Sequence, residues 1–217
     1  MEPRCWLCGL LAALCAGCGG GSPDEPPAAP TPRVIEFYGD SLTFGSIEGP
    51  AGTLTRLAVP PVRRAQEMLG DAALCVDLSL PGATVADALA GVAMMPFGRF
   101  AEHVRTTQAS TLVIRYGGAD AVRGTPLADF ERDLGEMVTL AQAAGKTVLL
   151  VGVIATITGA TDSYDLAVER AADAFGTGFI DVRAVPVTWP DDLADDVHPA
   201  QAWSDRIAAL IAKSRGA

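Results

Sequence analysis

From residue 33 onward, short apolar runs alternate with longer amphipathic stretches, and this alternation limits the possible folds more than any other feature of the chain. The runs are Arg33–Tyr38 (RVIEFY), Ala73–Leu80 (ALCVDLSL), Thr111–Tyr116 (TLVIRY), Thr147–Ile154 (TVLLVGVI) and Gly178–Val182 (GFIDV). Their near-continuous Val, Ile and Leu content suits parallel strands buried on both faces. Helices are predicted between and after them, over Pro61–Leu69, Val85–Gly91, Arg99–Thr106, about 125–144, Ser163–Phe175 and Gln201–Lys213. In the longest, Thr125-Pro126 reads as an N-cap followed by a first-turn proline, and Gly145 as the stop. Such an order implies βαβ crossovers, and so an α/β domain with a doubly wound sheet of five parallel strands and helices on both faces.

Composition narrows the function classes. The 217 residues suit one domain and carry 16 Lys+Arg against 26 Asp+Glu, a net charge of −10. That balance argues against an electrostatic grip on nucleic acid, which needs clustered cations to displace counterions. With 49% hydrophobic and 19% charged residues the chain is not of the disordered class. No apolar run approaches the roughly 20 residues of a membrane-spanning helix.

Four of the five cysteines, Cys5, Cys8, Cys15 and Cys18, lie in the first 18 residues. Two Cys-x-x-Cys pairs are a zinc-ligand pattern. The spacer from Gly9 to Leu14, however, is apolar and free of turn residues. Arg4, an apolar stretch from Trp6 to Leu14 and then small residues read instead as an export signal. The segment resembles a bacterial lipoprotein signal peptide ending in Ala16-Gly17-Cys18. That resemblance implies a leader over residues 1–17, cleavage before Cys18 and lipidation of Cys18. The expected location is the cell envelope, anchored to the membrane. Gly19, rather than aspartate, points to an outer membrane where the host has one. Residues 18–32 then form a Gly/Pro-rich tether that cannot pack a core, and residues 33–217 the folded domain.

Ligands of a doubly wound sheet bind outside the carboxyl ends of its strands, which directs attention to the loops starting at Gly39, Pro81, Gly117, Ala155 and near Pro190. The first reads Gly39-Asp40-Ser41-Leu42-Thr43-Phe44-Gly45. Its serine hydroxyl is a weak nucleophile until a base takes the proton. Only two histidines exist. His103 falls within a predicted amphipathic helix and suits packing or the surface. His198, in Asp195-Asp196-Val197-His198-Pro199, lies between the last strand and the last helix. Three-residue spacing lets Asp195 hold one ring nitrogen and leave the other as base; Asp196, beside a bend, more plausibly faces water. Taken alone, a capping serine and a surface histidine are the bland readings of the same residues.

These motifs together resemble the GDSL family, the SGNH hydrolases, over Arg33 to Ala212. The first block spans Gly39 to Gly45, the second contributes Gly82 in Pro81-Gly82-Ala83-Thr84, and the last Asp195 and His198. The resemblance implies the flavodoxin-like SGNH hydrolase fold and cleavage of carboxylic esters without a cofactor or metal. Ser41 is then the nucleophile, His198 the base and Asp195 its orienter, with the backbone N–H groups of Ser41 and Gly82 as oxyanion donors. The third block departs. Where the family carries Gly-x-Asn-Asp, this chain has Gly117-Gly118-Ala119-Asp120, so Ala119 offers at most its backbone N–H. The expected substrate is a small-molecule, glycan or lipid ester. The alternative is a weakened or non-catalytic relative that binds an acylated envelope component. A nucleotide-binding relative of the same sheet needs a Gly-x-Gly-x-x-Gly turn after the first strand, and none is present.

Several other residues carry two readings. Tyr164, Trp189 and Trp203 could wall a substrate site or cover the core, and Met94 to Phe97 could form a rim or a packed connection. Cys75 reads as a small apolar core residue, Asp40 as a tie within the serine turn and Asp120 as structural.

Overall fold

The chain threads β1 (Arg33–Gly39), β2 (Ser46–Glu48), β3 (Leu54–Arg56), β4 (Ala73–Asp77), β5 (Thr111–Arg115), β6 (Thr147–Val151) and β7 (Gly178–Ile180). In the computed structural model, which describes residues 31–216 apart from 93, 155–159 and 189, five of these form one parallel sheet in the order β4-β1-β5-β6-β7. The other two, β2 and β3, make a small antiparallel ribbon. Cys18, the expected leader and Trp189 lie outside the described residues, as does the tether up to residue 30.

The five sheet strands are the five apolar runs: β1 extends its run by one residue, to Gly39, and the other four are shorter than theirs. Sheet pairing stops while the chain stays extended and buried beyond it: Leu78, Tyr116, Val153 and Ile154 are all in the core. Burial, not strand pairing, is what those residues encode. Leu112, Val113 and Ile114 on β5 and Val148 to Val151 on β6 are fully buried, as central parallel strands require.

The helices are α1 (Ser41–Phe44), α2 (Pro61–Leu69), α3 (Val85–Ala90), α4 (Phe100–Thr106), α5 (Gly118–Arg123), α6 (Leu127–Ala143), α7 (Asp162–Phe175) and α8 (Gln201–Gly216). They fall into two packing groups, α2 with α8 and α6 with α3, α4 and α7, the two helical layers of a doubly wound sheet. One boundary is corrected. Pro126, not Thr125, occupies the N-cap of α6, and no side chain caps it. Thr125 turns the other way: its N–H donates to the Asp120 carbonyl at 2.9 Å, and its carbonyl accepts from the Tyr164 hydroxyl.

Strand order reverses between β1 and β5. After β1 the chain moves outward to β4, then returns to the other side for β5, β6 and β7. The loops that leave β1 and β5 therefore diverge and open a crevice at their carboxyl ends. Ser41 and Ala119 lie in the first turns of the short helices that these two connections enter, α1 and α5.

Candidate active site

Asp40 builds the serine turn. Its side chain caps α1 by accepting from the Leu42 N–H at 2.9 Å, and its second oxygen accepts from the Ala119 N–H at 2.9 Å. One fully buried carboxylate thus joins the turn after β1 to the turn after β5. Burial pushes its pKa up, against the pull of these two N–H groups. Gly118 permits the close approach, because a β-carbon there would lie 3.0 Å from both Asp40 Oδ2 and Leu42 Cδ1. Beneath the turn, buried Arg115 donates to the carbonyls of Leu42 and Gly152 at 3.3 Å each. Burial lowers its pKa to about 10, so it stays charged at neutral pH.

The loop before α8 brings the imidazole to this turn. His198 Nε2 is 3.0 Å from Ser41 Oγ, and His198 Nδ1 is 2.9 Å from Asp195 Oδ2. Burial works to raise the Asp195 pKa, but N–H groups of Val197, His198 and Glu48 and the imidazole itself outweigh it. The carboxyl is held below its usual range. Asp195 therefore remains a carboxylate at neutral pH and fixes Nδ1 as the hydrogen-bearing nitrogen, leaving Nε2 to accept from the hydroxyl.

Gly82 completes the cleft. The Ala83 N–H donates to the Leu80 carbonyl at 3.0 Å, and Gly82 has φ +77°. Proline followed by a positive-φ glycine is the pattern of a type II turn. Ser41, Gly82, Gly118, Ala119 and His198 line a cavity of about 210 Å³ whose apolar walls are Leu54, Val122 and Val197. A larger cleft of about 510 Å³, lined by Leu57, Pro60, Gln66 and Cys75 among others, does not include these residues. Size alone would have pointed away from the hydroxyl–imidazole pair.

One expected donor is corrected. The Ala119 N–H, expected as a third donor, is committed to Asp40. The Ser41 N–H, by contrast, belongs to the first turn of α1, whose amides have no intrahelical acceptor.

The profile of the GDSL-like Lipase/Acylhydrolase family matches residues 37–205, most of the chain. This chain belongs to that family. Among solved structures with the same fold, the native aryl esterase of M. smegmatis superposes with a TM-score of 0.69 at 17% identity, covering 84% of this chain and 98% of the other. Est24, a carbohydrate acetylesterase from Sinorhizobium meliloti, gives 0.67 at 18%, with 84% and 98% covered. The lipase/acylhydrolase from Enterococcus faecalis gives 0.67 at 22%, with 85% and 95% covered. No curated protein matches the sequence.

Within this family member, the remaining sequence candidates resolve into structural roles. Tyr164 is buried, stacks edge-on against Phe130 and donates to Thr125, and it does not line the cavity over Ser41. Trp203 is in the core beside Arg115. Met95 is buried, whereas Met94 is 83% exposed. Cys75 is half-buried, and burial raises its thiol to about 11. Asp120 is buried and anchors the second-block loop by accepting from the Val85 N–H, while its other oxygen has no partner among the described residues. Burial pushes it up to about 6.

Sequence reasoning missed the β2–β3 ribbon. Its Glu48 N–H donates to Asp195 at 2.8 Å and its Leu54 walls the cavity. Arg56 ties the ribbon back to the serine turn through the Phe44 carbonyl at 2.7 Å and lies over the Phe44 ring. Three-residue strands carry too little periodicity to be read. A lone Leu54 between polar neighbours was the one available hint.

Proposed function

We propose that this protein is a serine esterase that hydrolyses carboxylic acyl or acetyl esters through an acyl-Ser41 intermediate. The observation that carries the reading is the continuous relay from Asp195 through His198 to the Ser41 hydroxyl, at 2.9 and 3.0 Å. Ser41 Oγ attacks the ester carbon as His198 Nε2 takes its proton. The tetrahedral intermediate collapses, and the same proton goes to the departing alcohol. Water then enters, is deprotonated by His198 and releases the acid. Asp195 stabilises the imidazolium in both halves. The N–H groups of Ser41 and Gly82 bind the developing oxyanion.

The cavity supports small acyl groups. Its 210 Å³ lies below the roughly 300–1,000 Å³ of ordinary small-molecule pockets, and three aliphatic side chains wall it. The esterase and acetylesterase names of the structural neighbours agree with this substrate class. The test is a series of p-nitrophenyl esters from acetate to palmitate plus acetylated polysaccharide, with wild type and Ser41→Ala compared. Ser41-dependent turnover concentrated in short esters is expected. Failure of the native protein to turn over any ester or to react with a serine-directed phosphonate would refute the reading.

A second reading rests on Ala119. With the side-chain donor absent and the backbone N–H held by Asp40, the site is a weakened one that binds an acylated envelope component. A large rise in turnover in Ala119→Asn over a feeble wild type supports this reading; brisk wild-type turnover opposes it. For either reading we place the domain in the cell envelope on a Cys18 lipid anchor. Incorporation of labelled fatty acid into wild type but not Cys18→Ala tests that placement.

A further inference from the structure

We propose that Arg123 supplies the oxyanion contact that Ala119 lacks, which makes it a catalytic residue of the ester hydrolysis proposed above and dependent on that reading. Arg123 closes α5, four residues after Ala119 on the same short helix. Residues i and i+4 share a helix face, and helical side chains lean towards the N-terminus. The Arg123 side chain is therefore directed back along the face where an asparagine at 119 would project. Its Nη2 lies 3.9 Å from the position that a β-carbon on Gly82 would take, beside the residue whose N–H serves as the second oxyanion donor.

The surroundings hold this cation in place without neutralising every donor. Arg123 Nη1 binds Asp87 Oδ2 at 2.9 Å. Asp87 is itself fixed, because it forms the capping box of α3 with Thr84, two residues beyond Gly82. A guanidinium has five N–H donors in a planar fork, so one contact to Asp87 leaves others to offer. Two clefts meet at Gly82, the 210 Å³ cavity over Ser41 and one of about 370 Å³ lined by Pro81, Asp87, Val92, Met94 and Arg123. Among the described residues lining them, Arg123 is the one arginine or lysine. A positive charge at this place favours the tetrahedral oxyanion over the neutral ester, so it acts on kcat and not on ground-state binding.

The experiment is a cycle of wild type, Arg123→Ala, Ala119→Asn and the double variant, assayed on uncharged p-nitrophenyl acetate, with Ser41→Ala as blank and thermal unfolding as the fold control. Arg123→Ala is expected to lower kcat about tenfold or more with KM little changed, below the 10²–10³ typical of an enclosed donor because this guanidinium is half-exposed. In the Ala119→Asn background the same replacement should matter much less, since the amide then fills the role. Affinity for a boronic acid, which mimics the tetrahedral state, should fall in parallel with kcat. Equal losses in both backgrounds, a change confined to KM, or unchanged Ser41-dependent turnover would each overturn the assignment while leaving the esterase reading intact. Absence of Ser41-dependent turnover in all variants would overturn both.

Discussion

The molecule contains two histidine–carboxylate pairs of similar geometry and different meaning. His198 meets Asp195 at 2.9 Å, and His103 meets Glu36 at 3.1 Å. Glu36, on β1, is buried and also accepts from the hydroxyls of Tyr38 and Thr107, while His103 packs beside Tyr38 and Phe97. There the carboxylate gathers donors from β1, α4 and the turn that follows, and among the described residues no nucleophile is bonded to the far ring nitrogen. In the first pair the ring has Asp195 on one side and Ser41 Oγ on the other, at a strand edge that opens on a cavity. What separates the two pairs is the third group, Ser41, and the cavity on which it opens.

Substitutions break this comparison at different depths. His198→Ala or Ser41→Ala should lower kcat by about 10⁶, and combining them should add little, because groups acting as a unit fail together. Turnover of a short p-nitrophenyl ester checks it, and a strictly additive double variant would contradict the relay. Asp195→Asn should cost about 10⁴, through loss of the oriented tautomer. The matching change in the other pair, Glu36→Gln, should leave turnover unaltered yet lower unfolding free energy by about 1–3 kcal/mol, read by urea denaturation.

Carboxylate surroundings sharpen the contrast further. Asp195 accepts three backbone N–H bonds and is held low, so it stays ionised from neutral pH well into the acid range. Asp120 is buried, and burial outweighs the long bond from the Val85 N–H and raises it to about 6. A raised acid destabilises the fold while ionised, and that penalty vanishes as pH falls through 6 towards the unfolded value near 4. Asp120→Asn should therefore raise stability at pH 7.5, by up to about 3 kcal/mol, with the gain disappearing near pH 4. Thermal unfolding across that range tests the sign. The smallest effect belongs to the cavity wall: Val122→Ala or Leu54→Ala should shift the butyrate-to-acetate preference by about 1 kcal/mol, several-fold in kcat/KM.

The sheet and the meeting of Ser41, His198 and Asp195 were legible in the sequence because each rests on a strong local signal. β5 and β6 are runs of buried aliphatics, Ser41 follows the end of β1, and Asp195 and His198 share one short segment before α8. The commitment of the Ala119 N–H to Asp40 was not legible, since it depends on two loops 79 positions apart meeting in space. The same holds for Glu48 and Asp195, whose contact uses a backbone group that any residue possesses. Side-chain identity marks what a residue can do, while amide direction is set only by the finished fold.

The ribbon that steadies Asp195 is the thinnest part of the architecture, with three pairs of residues and an outer strand wholly exposed to water. Such two-stranded elements are marginal alone and open before the core does. Warming would release the Glu48 amide while the five-stranded sheet still stands. Inactivation would then precede melting, and the working temperature ceiling would belong to this small flap and its Arg56 tie, not to the domain that carries it.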